Sequence, residues 1–181
     1  MKSGTRLVML TAVIFYACIL SGCASIDFGR DKIDIETLLP SEIFHRGEVE
    51  LDRNRNEKAA DLFGEIERLY PYSEWAKRGL IMQAFAFHKD KKYDESRAAA
   101  SRFVDFYPAD EDIAYAHYLF GLSYYDQIDD VGRDQGVTRK ALQAFRMLFE
   151  QYPDSEYAKP AKLKFDLAFD HLASKEMEVG R

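Results

Sequence analysis

The chain has 181 residues, 47% of them hydrophobic, and a net charge of −6 at pH 7. That length allows one domain with a substantial core. Acidic residues outnumber basic ones and no stretch is rich in lysine and arginine, so we expect no nucleic-acid partner.

Residues 1–22 have the features of a signal peptide. Two basic residues precede an apolar run at residues 7–20, which is shorter than the roughly 20 residues that span a bilayer. The run ends in Leu-Ser-Gly-Cys at residues 20–23, which resembles the lipobox of bacterial lipoproteins. The resemblance implies cleavage before Cys23, which then carries an S-diacylglycerol and an N-acyl chain such as palmitate. The alternative is an ordinary signal peptide with an incidental cysteine.

The two cysteines support the same interpretation. Cys18 leaves with the signal peptide, so lipidation of Cys23 leaves no thiol for a disulfide, a metal site or catalysis. Ala24 stands where an aspartate commonly retains such lipoproteins in the inner membrane. The lipobox resemblance therefore implies anchoring in the outer membrane, and we expect no other cofactor.

The rest of the chain divides into a tether and a helical domain. Residues 23–39 lack helical periodicity and are interpreted as a lipidated tether. From residue 40 to residue 181 the apolar residues recur at helical spacing, and no stretch alternates as a strand does. We therefore expect an all-α domain at residues 40–181.

A Tyr-Pro pair followed by an acidic cluster occurs three times, with prolines at 71, 108 and 153. Proline lacks an N–H group and disfavours the helical conformation of the residue before it, so each pair ends a helix. Ser73, Asp110 and Ser155 follow at the same distance and are predicted to cap the next helices. The prolines are 37 and then 45 residues apart, and periods of this size indicate a solenoid.

The residues before two of these prolines define the type of repeat. Alanine, phenylalanine and proline recur at the same spacing in Ala59, Phe63 and Pro71, and in Ala141, Phe145 and Pro153. This spacing resembles the tetratricopeptide (TPR) repeat, and Gly47 and Gly121 match the small residue of its first helix. The resemblance implies a TPR-like α-solenoid of antiparallel helix hairpins, with about three repeats plus one extra helix.

The middle and last repeats depart from the pattern. Ser96 and Ala100 replace the alanine and phenylalanine of the middle repeat, so Phe103, Val104 and Phe106 are predicted to fill that layer. The longer third period predicts a loop at about residues 127–138, between the two helices of that repeat. Residues 159–179 form a last helix that is apolar on nearly all sides and requires another layer, so we expect a C-terminally truncated chain.

No pattern of catalytic residues is found. The four histidines do not have metal-binding spacing, and neither a nucleophile elbow nor a phosphate-binding glycine loop occurs. The acidic residues of the insertion do not follow the spacing of a calcium loop. We therefore expect a binding protein without a metal, and not an enzyme.

In TPR-like solenoids the first helix of each hairpin lines a groove. Spacing of i, i+3, i+7 and i+10 along these helices predicts a peptide-binding groove of largely apolar side chains. Its members are Phe44, Glu48, Leu51, Arg78, Ile81, Phe85, His88, Tyr115, Tyr118, Leu122 and Tyr125. Arg78 and His88 are candidates for binding a carboxylate. The alternative is that the aromatic side chains bury against each other or a further helix.

Taken together, these features resemble the BamD family, lipoprotein subunits of the machine that inserts β-barrels into the bacterial outer membrane. The most specific matches are Arg-Leu-Tyr-Pro at residues 68–71, Ala-Ala-Ala-Ser-Arg-Phe at 98–103, and Asp-Gln at 134–135. The resemblance implies a periplasm-facing subunit that binds the C-terminal signals of unfolded outer-membrane proteins. It also implies BamA and other subunits of this BAM complex as partners. A TPR pilotin or cell-envelope scaffold is the alternative, and a lipid-anchored hydrolase is a more distant one.

Overall fold

A computed structural model describes residues 34–128 and 135–179. The expected signal peptide, Cys23 and most of the expected tether lie outside the described residues, as does the centre of the expected insertion. The described residues form a 3₁₀-helix at Ile35–Thr37 and seven α-helices, without a strand. The α-helices are α1 (Pro40–Asp52), α2 (Asn56–Leu69), α3 (Glu74–Lys89), α4 (Tyr93–Phe106), α5 (Ile113–Tyr125), α6 (Gln135–Gln151) and α7 (Ala158–Val179).

The helices pack as three hairpins and one further helix. Helix α1 packs on α2, α3 on α4, and α5 on α6, and each hairpin packs on the next. Short connections join the first two pairs, and the insertion joins the third. The odd-numbered helices form one layer, because α1 contacts α3, α3 contacts α5 and α5 contacts α7. This arrangement confirms the expected TPR-like α-solenoid.

The small residue of the first helix lets an aromatic ring approach the backbone in two repeats. A Cβ atom added at Gly47 would lie 2.5 Å from Cε1 of Phe63. One added at Gly121 would lie 2.8 Å from Cδ1 of Phe145. Both phenylalanines are completely buried, as the repeat signature predicts.

The middle repeat confirms two of the three predicted substitutes. Phe103 is completely buried, and Val104 is partly buried against the same cluster. The prediction for Phe106 was wrong, since its side chain is 61% exposed. The buried stripe of α4 runs through Ser96, Ala100 and Phe103, and helical spacing carries it on to Tyr107 instead of Phe106.

Only one of the three predicted caps has the expected geometry. The Ser73 hydroxyl accepts a hydrogen bond from the N–H of Ala76 at 3.1 Å, at the start of α3. Asp110 precedes α5 by three residues and accepts instead from the N–H of Asp112 at 3.0 Å. The prediction for Ser155 was wrong: α7 begins only at Ala158, and the buried Ser155 hydroxyl makes no hydrogen bond within the described residues.

The end of the expected tether packs against the first hairpin. Leu38 is 8% exposed and belongs to the same core cluster as Ile43 and Phe63. The Tyr70 hydroxyl donates a hydrogen bond to the Leu38 carbonyl oxygen at 2.6 Å. The described residues before α1 thus belong to the folded unit.

The insertion differs from the prediction, and the last helix agrees with it. Helix α6 already begins at Gln135, so residues 135–138, expected in the loop, are helical. On α7, Ala161 and Ala168 are buried, whereas Leu163, Leu167, Phe169 and Met177 are all more than half exposed. This exposure confirms that apolar residues surround the helix. No helix in the described ranges combines the length and apolar character of a membrane span.

Candidate peptide-binding cleft

A cleft of about 490 Å³ lies between α1 and α3, in the layer of odd-numbered helices. Helix α1 contributes one wall and α3 the other. The lining residues are His45, Glu48, Val49, Leu51, Asp52, Met82, Phe85 and Lys89. On each helix these positions recur at intervals of three and four residues, which places them on one face.

The predicted groove residues Glu48, Leu51 and Phe85 lie in this cleft. On α3 the face that lines the cleft is shifted by about one residue from the predicted face. Ile81 is only 6% exposed and belongs to the core, whereas the neighbouring Met82 lines the cleft.

Five lining residues were missed by the sequence prediction: His45, Val49, Asp52, Met82 and Lys89. Spacing of i, i+3 and i+7 counted from Met82 would have found Phe85 and Lys89. Counting from Arg78 led to Ile81 and His88 instead. The signal was therefore present on α3, but the choice of starting residue was not determined by the pattern.

Two predicted groove residues pack against Trp75. The Phe44 ring lies 5.1 Å from the Trp75 ring and 5.2 Å from the Phe63 ring, measured between centroids. The Arg78 guanidinium carbon lies 5.4 Å from the Trp75 centroid. Neither residue lines the α1–α3 cleft, so Arg78 is not the cation of that site.

His88 joins α3 to the end of α5 and does not line the cleft. Its Nε2 atom lies 2.9 Å from Oδ2 of Asp126 without the alignment of a hydrogen bond, and its ring contacts Tyr93 edge-on. Burial lowers the pKa of His88, an effect that the Asp126 carboxylate opposes. The predicted carboxylate-binding role therefore has no support in this geometry.

The three predicted tyrosines of α5 are packed within the solenoid. The Tyr115 and Tyr118 rings lie 5.0 and 5.5 Å from the ring of Tyr157, which precedes α7. Tyr125 packs on Phe145, and Lys164 lies over its ring. Burial raises the pKa of the Tyr115 and Tyr118 hydroxyls.

The chain therefore covers this part of the predicted groove itself, as the alternative interpretation expected. Leu122 is partly buried and does not line the α1–α3 cleft.

The cleft combines an apolar floor with charges of both signs. Lys89 has its ammonium group 5.9 Å from the Phe85 ring, and no carboxylate within the described ranges pairs with it. Glu48 lies 3.5 Å from Nδ1 of His45, and Asp52 follows one turn later. Such a site can bury an apolar side chain while Lys89 binds a carboxylate and the two acids accept hydrogen bonds.

Within the described ranges, no group of three or more His, Cys, Asp or Glu side chains is arranged to hold a metal ion.

The fold and the cleft define a TPR-like α-solenoid with a peptide-sized site between the first helices of neighbouring repeats. Residues 37–181 match the model of a protein family described as "YfiO: Outer membrane lipoprotein". The chain belongs to this family.

Curated relatives carry the name outer membrane protein assembly factor BamD. The protein of Caulobacter vibrioides is 39% identical over 175 residues, an alignment that covers 94% of this chain and 55% of the relative. That of Rickettsia prowazekii is 36% identical over 173 residues, covering 96% and 67%. This chain therefore spans between about half and two thirds of the length of these relatives.

Among solved structures, MamA from Desulfovibrio magneticus is similar, with a TM-score of 0.51 and 19% identity. The match covers 79% of this chain and 77% of MamA. At this identity the likeness concerns the fold alone.

Proposed function

We propose that this protein is a lipid-anchored, periplasm-facing subunit of the β-barrel assembly machinery of the outer membrane. It binds the C-terminal segments of unfolded outer-membrane proteins and passes them on for insertion. The observation that carries the proposal is the α1–α3 cleft on a chain of this family, with an apolar floor and one unpaired cation.

The apolar floor supplies most of the affinity in this account. Leu51, Met82 and Phe85 come from two helices that the core holds together, so the site needs little rearrangement to accept a peptide. Each apolar side chain of the peptide that becomes fully buried contributes about 1.5–3 kcal/mol. An extended segment with an aromatic end fits this chemistry.

Lys89 sets the orientation of the bound peptide in this account. Its ammonium group lies over the Phe85 ring, so a terminal carboxylate bound there places the last side chain beside the apolar floor. Glu48 and Asp52 on the opposite wall accept hydrogen bonds from the peptide N–H groups that precede it. Lys89 thus takes the role that the sequence prediction assigned to Arg78 and His88.

The anchor holds the cleft beneath the membrane. Acylation of Cys23 with an S-diacylglycerol and an N-acyl chain contributes about 0.8 kcal/mol per buried methylene, and several chains make the attachment stable. The proposed partners are BamA and the other BAM subunits, together with unfolded outer-membrane proteins. Support for them comes from the name that the curated relatives share.

Photo-crosslinking in living cells tests the proposal. A photoreactive amino acid at position 82, in the cleft, should capture precursors of barrel proteins. The matched probe at position 106, which is exposed but outside the cleft, should not. Affinity purification of the same chain should recover BamA. Equal capture from both positions, or recovery of a secretin in place of BamA, would instead support the scaffold alternative.

A further inference from the structure

A second cleft, of about 300 Å³, lies between α5 and α6. Its lining residues are Phe120, Tyr124, Lys140, Gln143, Ala144 and Met147. It shares no residue with the α1–α3 cleft. The volume is at the lower end of the roughly 300–1,000 Å³ typical of ligand sites, which suits a short segment with one main anchor.

The floor of this cleft is a fixed pair of aromatic rings. Phe120 and Tyr124 pack edge to face with 5.4 Å between their centroids. The guanidinium carbon of Arg97, on α4, lies 4.2 Å from the centre of the Tyr124 ring. Arg97 is itself held by an ion pair with Asp94 and by a 3.1 Å hydrogen bond to the Ser123 carbonyl oxygen. The floor therefore has little freedom to collapse into the cleft.

The wall formed by α6 carries one cation, Lys140. Lys140 places its ammonium group 5.6 Å from the Tyr124 ring, and no carboxylate in the described part of the chain pairs with it. A cation next to an aromatic floor favours a ligand that has a negative group beside an apolar side chain.

We propose that the α5–α6 cleft binds an acidic segment of a partner protein with one aromatic or aliphatic anchor. The anchor packs between Phe120 and Met147, a pair in which the flexible methionine adapts to its shape. A carboxylate next to the anchor pairs with Lys140. The exposed Gln143 side chain both donates and accepts hydrogen bonds, so it serves the backbone of the segment.

Peptide binding to the complete mature chain in zwitterionic nanodiscs tests this assignment. The probes are two acetylated and amidated octapeptides, one with a central phenylalanine flanked by glutamates and one with lysines in their place. Fluorescence anisotropy should show that the glutamate peptide binds more tightly. Lys140→Glu should weaken its binding about tenfold and reverse the preference between the peptides, and Met147→Ala should weaken it about fivefold.

Two controls decide where and how the peptide binds. Lys159→Glu makes the same charge change at an exposed position outside the cleft and should leave the affinity unchanged. Phe85 lines the α1–α3 cleft and not this one, so Phe85→Ala should also have no effect. An equal loss of affinity in Lys159→Glu would show that binding depends only on the net charge of the protein. A loss of affinity in Phe85→Ala would show that the peptide binds in the α1–α3 cleft. Equal affinities for the two peptides would exclude selection by charge. Each of these results overturns the proposal.

Discussion

Ser123 on α5 donates a hydrogen bond to Ser96 on α4, with 3.0 Å between their hydroxyl oxygens. Both side chains are completely buried. Ser96 in turn donates to the carbonyl oxygen of Ala84 on α3 at 2.8 Å. At the position where the repeat signature has an alanine, this chain therefore has a buried polar link across three helices. The link joins α3, which forms one wall of the first cleft, to α5, which forms the floor of the second.

Replacing Ser96 by alanine should destabilise the fold although it restores the repeat signature. The Ser123 hydroxyl then loses its acceptor in a buried site, which costs about 1–3 kcal/mol. Ser123→Ala should cost less, because Ser96 keeps its bond to Ala84. Denaturant unfolding of both single variants and the double variant measures these values. A double variant whose loss equals the sum of the single losses would contradict the coupling.

Gly121→Ala should also destabilise the protein. Alanine is favoured over glycine inside helices by about 1 kcal/mol, but the added Cβ atom would lie 2.8 Å from the buried Phe145 ring, and overpacking costs about 1–3 kcal/mol. The comparison is Gly64→Ala, whose Cβ atom would meet the end of the Gln83 side chain, which can shift only by giving up its hydrogen bonds to Ala60 and Arg102 and not by repacking a buried ring. Thermal unfolding should rank Gly121→Ala below Gly64→Ala; the reverse order would contradict the close packing.

Acidification below neutral pH should weaken the fold through two histidines. Burial lowers the pKa of His117, and it lowers the pKa of His88 against the opposing effect of Asp126. The unfolded chain therefore takes up protons more readily, so the stabilisation is complete above the unfolded pKa of about 6.5 and is lost as pH falls through the folded pKa.

Denaturant unfolding at pH 7.5 and at pH 5.5 measures this effect. His117→Gln should reduce the difference between the two values, because burial is the cause of its shift. An unchanged difference in this variant would show that His117 does not contribute.

The repeat type could be predicted from sequence because its determinants are local. Ala59, Phe63 and Pro71 stand at defined offsets along one hairpin, and the same offsets recur in Ala141, Phe145 and Pro153 of the third repeat. The middle repeat was harder, since Ser96 is stabilised by Ser123, a residue of the next hairpin. No spacing within one helix indicates such a partner.

The groove could be predicted only in part for two physical reasons. On α3 both faces are apolar, so the pattern does not distinguish Ile81, which is buried, from Met82, which lines the cleft. On α5 the spacing of the tyrosines is that of groove residues, but Tyr157 packs on Tyr115 and Tyr118 and covers them. That contact depends on how the chain enters α7, which lies outside the periodicity of α5.

Lys89→Gln should weaken the binding of peptides that end in a free carboxylate. Because Lys89 is exposed, the loss should be near 1 kcal/mol, or about fivefold in Kd. The same peptide with a C-terminal amide should bind the variant and the original chain equally. Lys58→Gln, at an exposed site on α2 outside the cleft, is the matched control and should bind both peptides as the original chain does. An equal loss for the amide peptide would exclude carboxylate recognition by Lys89.

The most direct test of the central claim is the affinity of the mature chain for a C-terminal peptide of a barrel protein. Fluorescence anisotropy should show that Phe85→Ala weakens binding at least about tenfold, since losing one buried aromatic contact costs roughly 1.5–3 kcal/mol. Phe106→Ala removes an equal side chain that is 61% exposed outside the cleft, so it should leave Kd unchanged. Equal affinities of Phe85→Ala and the original chain would contradict peptide binding in the α1–α3 cleft.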